Sequence, residues 1–256
     1  MRAPLSYLIL FLGTLVLVAA CATTKNTKVD TPTVVATPTP EQSQPAEPEA
    51  EAEPPSLTEQ MMVHYGRVVL IRDAVTEADL PKAREHAAAF DAQPVAEELT
   101  GEPLALLGQM RMKAKEVAAA PTVESAADGV ARMAEACGNC HTTMAAVPNI
   151  PDPPAAMSEG DTAGHMGLHL WAADRMWEAL IMPDEQRWIR AADAMAQDPL
   201  VVTGPDEQAE SVAMLQGLAK QTHELAKKAR DSTAEDRAMY YSKFLASCGN
   251  CHNAMK

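Results

Sequence analysis

The sequence predicts an all-α protein built as two tandem four-helix bundles, and three observations carry that prediction. Apolar residues make up 47 % of the 256 positions while aromatics make up only 4 %. Ala, Leu, Met and Val dominate the apolar set, a composition that suits helices better than strands. Apolar residues also recur at steps of three and four along the second part of the chain and again along the third, which places them on one stripe of successive helices. Finally, the chain repeats itself: Cys137-Gly138-Asn139-Cys140-His141 returns as Cys248-Gly249-Asn250-Cys251-His252, each at the end of a similar run of helical segments.

The beginning of the chain is of a different kind. Residues 1–20 carry Arg2, an apolar run from Leu5 to Leu17 and small residues before Cys21. The apolar run is short for a bilayer span, so it reads as an export signal. Val18-Ala19-Ala20-Cys21 resembles a bacterial lipobox, which implies a lipidated Cys21 at the mature N-terminus and a tether to the membrane, with outer-membrane sorting implied by Ala22. Residues 21–55 are rich in Thr, Pro, Glu and Gln without apolar periodicity. Such a segment cannot bury enough surface to offset its ordering entropy and is expected to be a disordered tether.

Residues 56–152 read as the first bundle. Ser56-Leu57-Thr58-Glu59 has the form of a capping box opening a helix. Met61, His64, Val68, Ile71 and Val75 then follow at helical spacing to about Thr76, so His64 is expected to face inward. Leu80-Pro81 begins a second helix through Ala87 and Phe90, Pro being tolerated in a first turn. Pro103 opens a third, with Leu104, Leu107, Met110, Met112 and Val117. A fourth runs from about Val123 to Met144 and carries Val130, Met133, Ala136 and the first pentapeptide. Short polar connections imply antiparallel neighbours.

Residues 153–256 restart the pattern after the Pro-rich stretch Pro148 to Pro154. Met166, His169, Ala173, Met176 and Leu180 repeat the earlier spacing, with Met and His in the same two places. Pro183 opens a second helix with Trp188 and Ala192, and Pro205 a third with Val212, Leu215, Leu218, His223 and Leu225. Ser232-Thr233-Ala234-Glu235 reads as a further capping box, leading through Met239, Phe244 and Leu245 into Cys248. The first-helix His lies 73 residues before the first Cys in one unit (64 to 137) and 79 in the other (169 to 248). A longer connection around Val201 to Gly204 absorbs the difference.

C-x-x-C-H is the attachment signature of c-type haem. Two thiols a helical turn apart can form thioethers to one haem, and the adjacent His presents a ring nitrogen to the iron from the same face. A structural zinc site would need a second pair converging on each one, and a redox C-x-x-C would need a βαβ context that the pattern lacks. Four of the five cysteines lie in the two pentapeptides. The expected cofactors are therefore two covalent haems c. A formal charge of −14 argues against nucleic acid as a partner.

A C-x-x-C-H motif in the last helix of a four-helix unit, with the first helix across the haem, resembles the class II c-type cytochromes, the cytochrome c prime group. The resemblance covers both folded units and rests on the placement of residues 137–141 and 248–252. It implies thioethers at Cys137, Cys140, Cys248 and Cys251, with proximal ligation by His141 and His252. On the opposite face this sequence offers His64 and His169, with Met61 and Met166 as the alternatives, where cytochrome c prime proper has an apolar residue. Met133, Met176 and Met239 read as pocket wall. His165 reads as exposed, His86 and His223 as surface or structural, and Trp171, Trp177 and Trp188 as packing.

These features imply a diheme electron carrier of the bacterial cell envelope, lipid-anchored, facing the periplasm and exchanging electrons with redox partner proteins there or at the membrane. It is expected not to be an enzyme. The alternative is a haem protein that binds nitric oxide or carbon monoxide at an open iron, and a peroxidase-type activity is the weakest reading.

Overall fold

In a computed structural model the described residues are 56–146, 148, 150, 154, 162–197 and 209–255. The readings on residues 1–20, on Cys21, on the 21–55 tether, on Pro205 and on the Val201 to Gly204 loop lie outside them. Among the described residues the protein is all-helical, with eight helices: α1 (Leu57–Thr76), α2 (Leu80–Asp91), α3 (Gly101–Ala118), α4 (Val123–Thr143), α5 (Thr162–Ile181), α6 (Glu185–Met195), α7 (Ala209–Arg230) and α8 (Ala234–Ala254). None is long and apolar enough to cross a membrane.

Local chemistry sets the helix starts. Ser56 and Glu59 form the expected reciprocal capping box. Thr122 and Ser125 form a second one at α4. Asp79 accepts from the Lys82 amide and Asp184 from the Arg187 amide, so both second helices begin on an Asp cap. The box expected at Ser232 is displaced by one residue: Thr233 is the cap of α8, its side chain receives no amide, and its hydroxyl instead donates to Asp236. Gly101, not Pro103, starts α3, and Leu106, Leu107, Met110, Ala114 and Val117 form its buried stripe. Met112 is 56 % exposed and Leu104 41 %, against expectation. Met112 stands two residues from Met110, about 200° round the helix, and so turns outward.

Within the first half α1 packs on α2, α2 on α3, α3 on α4 and α4 back on α1; α5 to α8 follow the same circuit. The described residues from Ser56 onward nevertheless form one compact unit. The halves meet along α4 and α8, with further contacts of α4 on α5 and α1 on α8. Ala126, Ala127, Gly129, Ala131 and Ala134 are all buried on α4. Gly129 lets α4 approach α3 of its own half closely: a Cβ there would come within 2.4 Å of Val117 Cγ2. The first half fills its interior with Val68, Ile71, Val75, Phe90 and Met133, the second with Trp177, Trp188, Met176, Tyr241 and Phe244. Trp188 donates its indole N–H to Ala229 O at 2.7 Å, tying α6 to α7.

Where the halves face one another, Arg72 of α1 binds Asp73 and, at 2.9 Å, Asp174 of α5. Its guanidinium also lies 5.5 Å from the centre of the Trp177 ring, which in turn stands 5.8 Å from Tyr241 of α8. Replacing Arg72 by Met keeps the packing stem but removes the ion pair and the cation over the ring. A loss of about 2 kcal/mol is expected in urea denaturation, below the full cost of breaking a deeply buried pair because Asp174 retains some solvent.

Candidate functional site

The two pentapeptides end the last helices of the two halves. Helical spacing brings Cys137, Cys140 and His141 onto one side of α4, and Cys248, Cys251 and His252 onto one side of α8. All six residues are partly exposed, and all four thiols are free. The Cys137 thiol lies 3.7 Å from Met110 Sδ on α3, and the Cys140 thiol 3.9 Å from Met144 Sδ. Burial pushes the Cys137 thiol up to about 12 and the Cys248 thiol up to about 11.

The glycine inside each motif has a geometric reason. A Cβ on Gly138 would stand 2.1 Å from Leu180 O and 3.2 Å from the Pro183 ring, at the corner between α5 and α6. A Cβ on Gly249 would stand 2.8 Å from Val75 O and 2.7 Å from Val123 Cγ1, with Ala78 beyond, at the corner between α1 and α2. Each motif is thus seated on the other half of the molecule. Asn250 adds a 3.0 Å hydrogen bond to Glu124 at the start of α4. Since Gly249 sits over Val123, the two motifs lie at opposite ends of α4, about 22 Å apart along the helix at roughly 1.5 Å per residue.

His141 Nδ1 lies 3.0 Å from Ile181 O. An Nδ1–H donated to that carbonyl fixes the ring and leaves Nε2 with its lone pair, the state an imidazole needs to bind iron. Two unpaired thiols and a back-anchored imidazole on one helical face are a donor set that fits a covalently held haem.

The first-helix histidines have unequal surroundings. His64 is buried, its ring centre 5.3 Å from that of Phe90. Burial, followed by the nearby Arg111 cation, holds it below the usual histidine range. Met61 is half-buried beside it in sequence, as is Met166 in the second half. His169 is half-buried, with its Nε2 3.2 Å from His223 Nε2 and its ring centre 4.3 Å from that of His165. Burial, then His165 and His223, pushes it down to about 3.

One expectation needs correction here. His165 is not exposed; it is 7 % accessible and stacks on His223 at 5.2 Å with the rings nearly parallel. Of the two readings of His223, surface or structural, the structural one fits: it is 3 % accessible and meets His169 of the first helix of its half. Measured back from Thr122 and Thr233, which cap the motif helices, its nearest counterpart in the first half is Arg111, one residue out of register. Arg111 precedes Thr122 by eleven residues and His223 precedes Thr233 by ten. These third-helix turns also touch the motifs, Met110 contacting Cys137 while the Thr222 hydroxyl lies 2.7 Å from that of Ser247, next to Cys248. The third helix therefore reaches Cys137 itself in the first half and Ser247, the residue before Cys248, in the second. Met133 and Met176 are fully buried and Met239 half-buried; Trp177 and Trp188 are core residues, and Trp171 donates to Pro154 O at 3.1 Å. His86 is half-buried on α2.

Comparison with protein-family models, with curated proteins and with solved structures finds no match.

Proposed function

We propose that the chain is a diheme c-type cytochrome of the class II kind, two haem-binding four-helix bundles fused into one unit, which carries electrons outside the cytoplasm. The observation that carries this proposal is the duplicated C-x-x-C-H on the last helix of each half, with its thiols unpaired and His141 anchored through Nδ1. Cys137 and Cys140 would hold one haem and Cys248 and Cys251 the other, with His141 and His252 as proximal ligands. The haem supplies a one-electron iron couple whose potential is set by the axial ligands and the surrounding dielectric.

The chain's own contribution is positioning. Gly138 and Gly249 bring each motif against a rigid helix corner, and buried Phe90, Met133 and Met176 exclude water near the inward face of each half. His64 and His169 are the proposed sixth ligands, with Met61 and Met166 as the alternatives. Both histidines are held neutral by burial, so a lone pair is available to a metal at neutral pH. Cys21 as a lipid anchor, the bacterial envelope location and redox partner proteins belong to the same proposal, and mass spectrometry of the mature N-terminus tests the anchor.

The absorption spectrum of the ferrous protein with and without carbon monoxide tests the ligation. With both histidines bound, carbon monoxide leaves the spectrum unchanged, and His64→Ala makes the first haem alone reactive. Carbon monoxide uptake by both haems of the unsubstituted protein would overturn six-coordination. One observation favours a second reading for the second half only: His169 is engaged with two other imidazoles, whereas His64 is not. That half could present an open iron to nitric oxide or carbon monoxide, and uptake by one haem alone is the outcome that would select it.

A further inference from the structure

We propose that His165, His169 and His223 form a binding site for a divalent transition metal of the zinc and copper class. One ligand nitrogen from each of the three lies within 4.8 Å of the other two. The 3.2 Å between His169 Nε2 and His223 Nε2 is close to the edge of a tetrahedral site, about 3.3 Å when metal–nitrogen bonds are about 2.0–2.1 Å. His165 and His169 stand one helical turn apart on α5, and His223 reaches across from α7, so two helices fix the three rings.

The polar chemistry of the cluster points the same way. A neutral imidazole carries one donor and one acceptor. His169 and His223 can share a single hydrogen bond, while His165 Nε2 is buried with no partner. A buried polar atom of this kind normally has a partner, and a metal ion bound by all three rings provides one. Among the described residues no carboxylate or thiol joins the group. A bound ion would therefore keep a fourth position for water or an exogenous ligand, the arrangement of reactive rather than purely structural zinc sites. Imidazole ligands suit zinc, copper and nickel, and exclude calcium and magnesium as the preferred ions.

The first half provides an internal contrast. At the corresponding places it carries Gln60, His64 and Arg111. One imidazole beside a fixed cation does not make a metal site, so the second half alone has this property. The site takes His169, so this inference rests on the haem reading with Met166, the alternative, rather than His169 serving the second haem; zinc binding and haem loading are then compatible.

Titration of the full-length, haem-loaded chain with zinc chloride in a calorimeter tests the proposal. One equivalent of zinc is expected to bind, and binding is expected to weaken about 100-fold when either His165 or His223 is replaced, since loss of a direct ligand costs at least as much as loss of a supporting one. The informative variants are His165→Gln and His223→Arg, which install the residues the first half already accommodates and so preserve folding. Absence of one-equivalent binding, or binding that persists in the double variant, overturns the site. Haem content is read from the absorbance of the same samples, so a failure of the haem proposal shows separately as a missing chromophore.

Discussion

Gly138→Ala is expected to destabilise the fold by about 3 kcal/mol, the upper range for forcing an extra carbon into a packed interface. The obstacle is backbone, not a side-chain tip. The new Cβ would lie 2.1 Å from Leu180 O, and relief requires the end of α4 to lift away from the corner between α5 and α6. Lifting α4 would also lengthen the 3.0 Å bond between His141 and Ile181 O. Gly249→Ala should cost less, about 2 kcal/mol, because its closest backbone contact is 2.8 Å and the other close atom is a methyl of Val123. Gly66→Ala and Gly108→Ala are the controls: both glycines are exposed with nothing near the added carbon, so alanine should stabilise by about 0.5–1 kcal/mol through helix propensity. Midpoints of urea denaturation, compared at constant slope, rank the four variants. Equal effects at Gly138 and Gly66 would mean that the two halves do not meet as described.

The second large effect is chemical. Replacing Cys248 and Cys251 together by alanine is expected to remove one of two covalent haems, halving the haem absorbance per chain and lowering the denatured mass by one haem. The first haem should remain, because its thiols at Cys137 and Cys140 lie near the opposite end of α4. The mirror variant at Cys137 and Cys140 should do the converse. An unchanged mass in both variants would overturn covalent haem as the cofactor. Loss of both haems from a single pair substitution would instead show that the halves must be loaded together, which the seating of each motif on the other half makes a measurable alternative.

Helix number, order and most boundaries were legible in the sequence because local signals set them: the box at Ser56, the Pro after Asp79, the three-four spacing through His64 and His169. The inward direction of His64 was legible for the same reason. What was not legible lay in tertiary contacts. Met112 fits a loose apolar pattern, yet faces water because two residues of helix turn it away from Met110. His165 occupies the position of Gln60 and looks polar and external until α7 brings His223 against it. The one-residue shift between α3 and α7, relative to the caps that follow them, hid the counterpart of His223. Nor does periodicity reveal that a glycine within a cysteine motif answers to a carbonyl some forty residues or more away.

The correspondence between the halves extends to how they hold each other. Val75 and Leu180 each follow their first-helix His by eleven residues, and Ala78 and Pro183 each follow those by three. Gly138 meets Leu180 and Pro183 while Gly249 meets Val75 and Ala78, so each contact has its mirror. Arg72 and Trp177, which stack on one another, also occupy equivalent positions eight residues after His64 and His169. This is the self-complementary pattern of an isologous dimer, in which any surface that meets its partner does so twice. The chain is in effect a two-subunit assembly written as one polypeptide, whose connecting segment keeps the halves at a high effective concentration. Freed from mirror identity, the equivalent positions could then diverge: an arginine facing its own copy would repel, whereas here it meets a tryptophan.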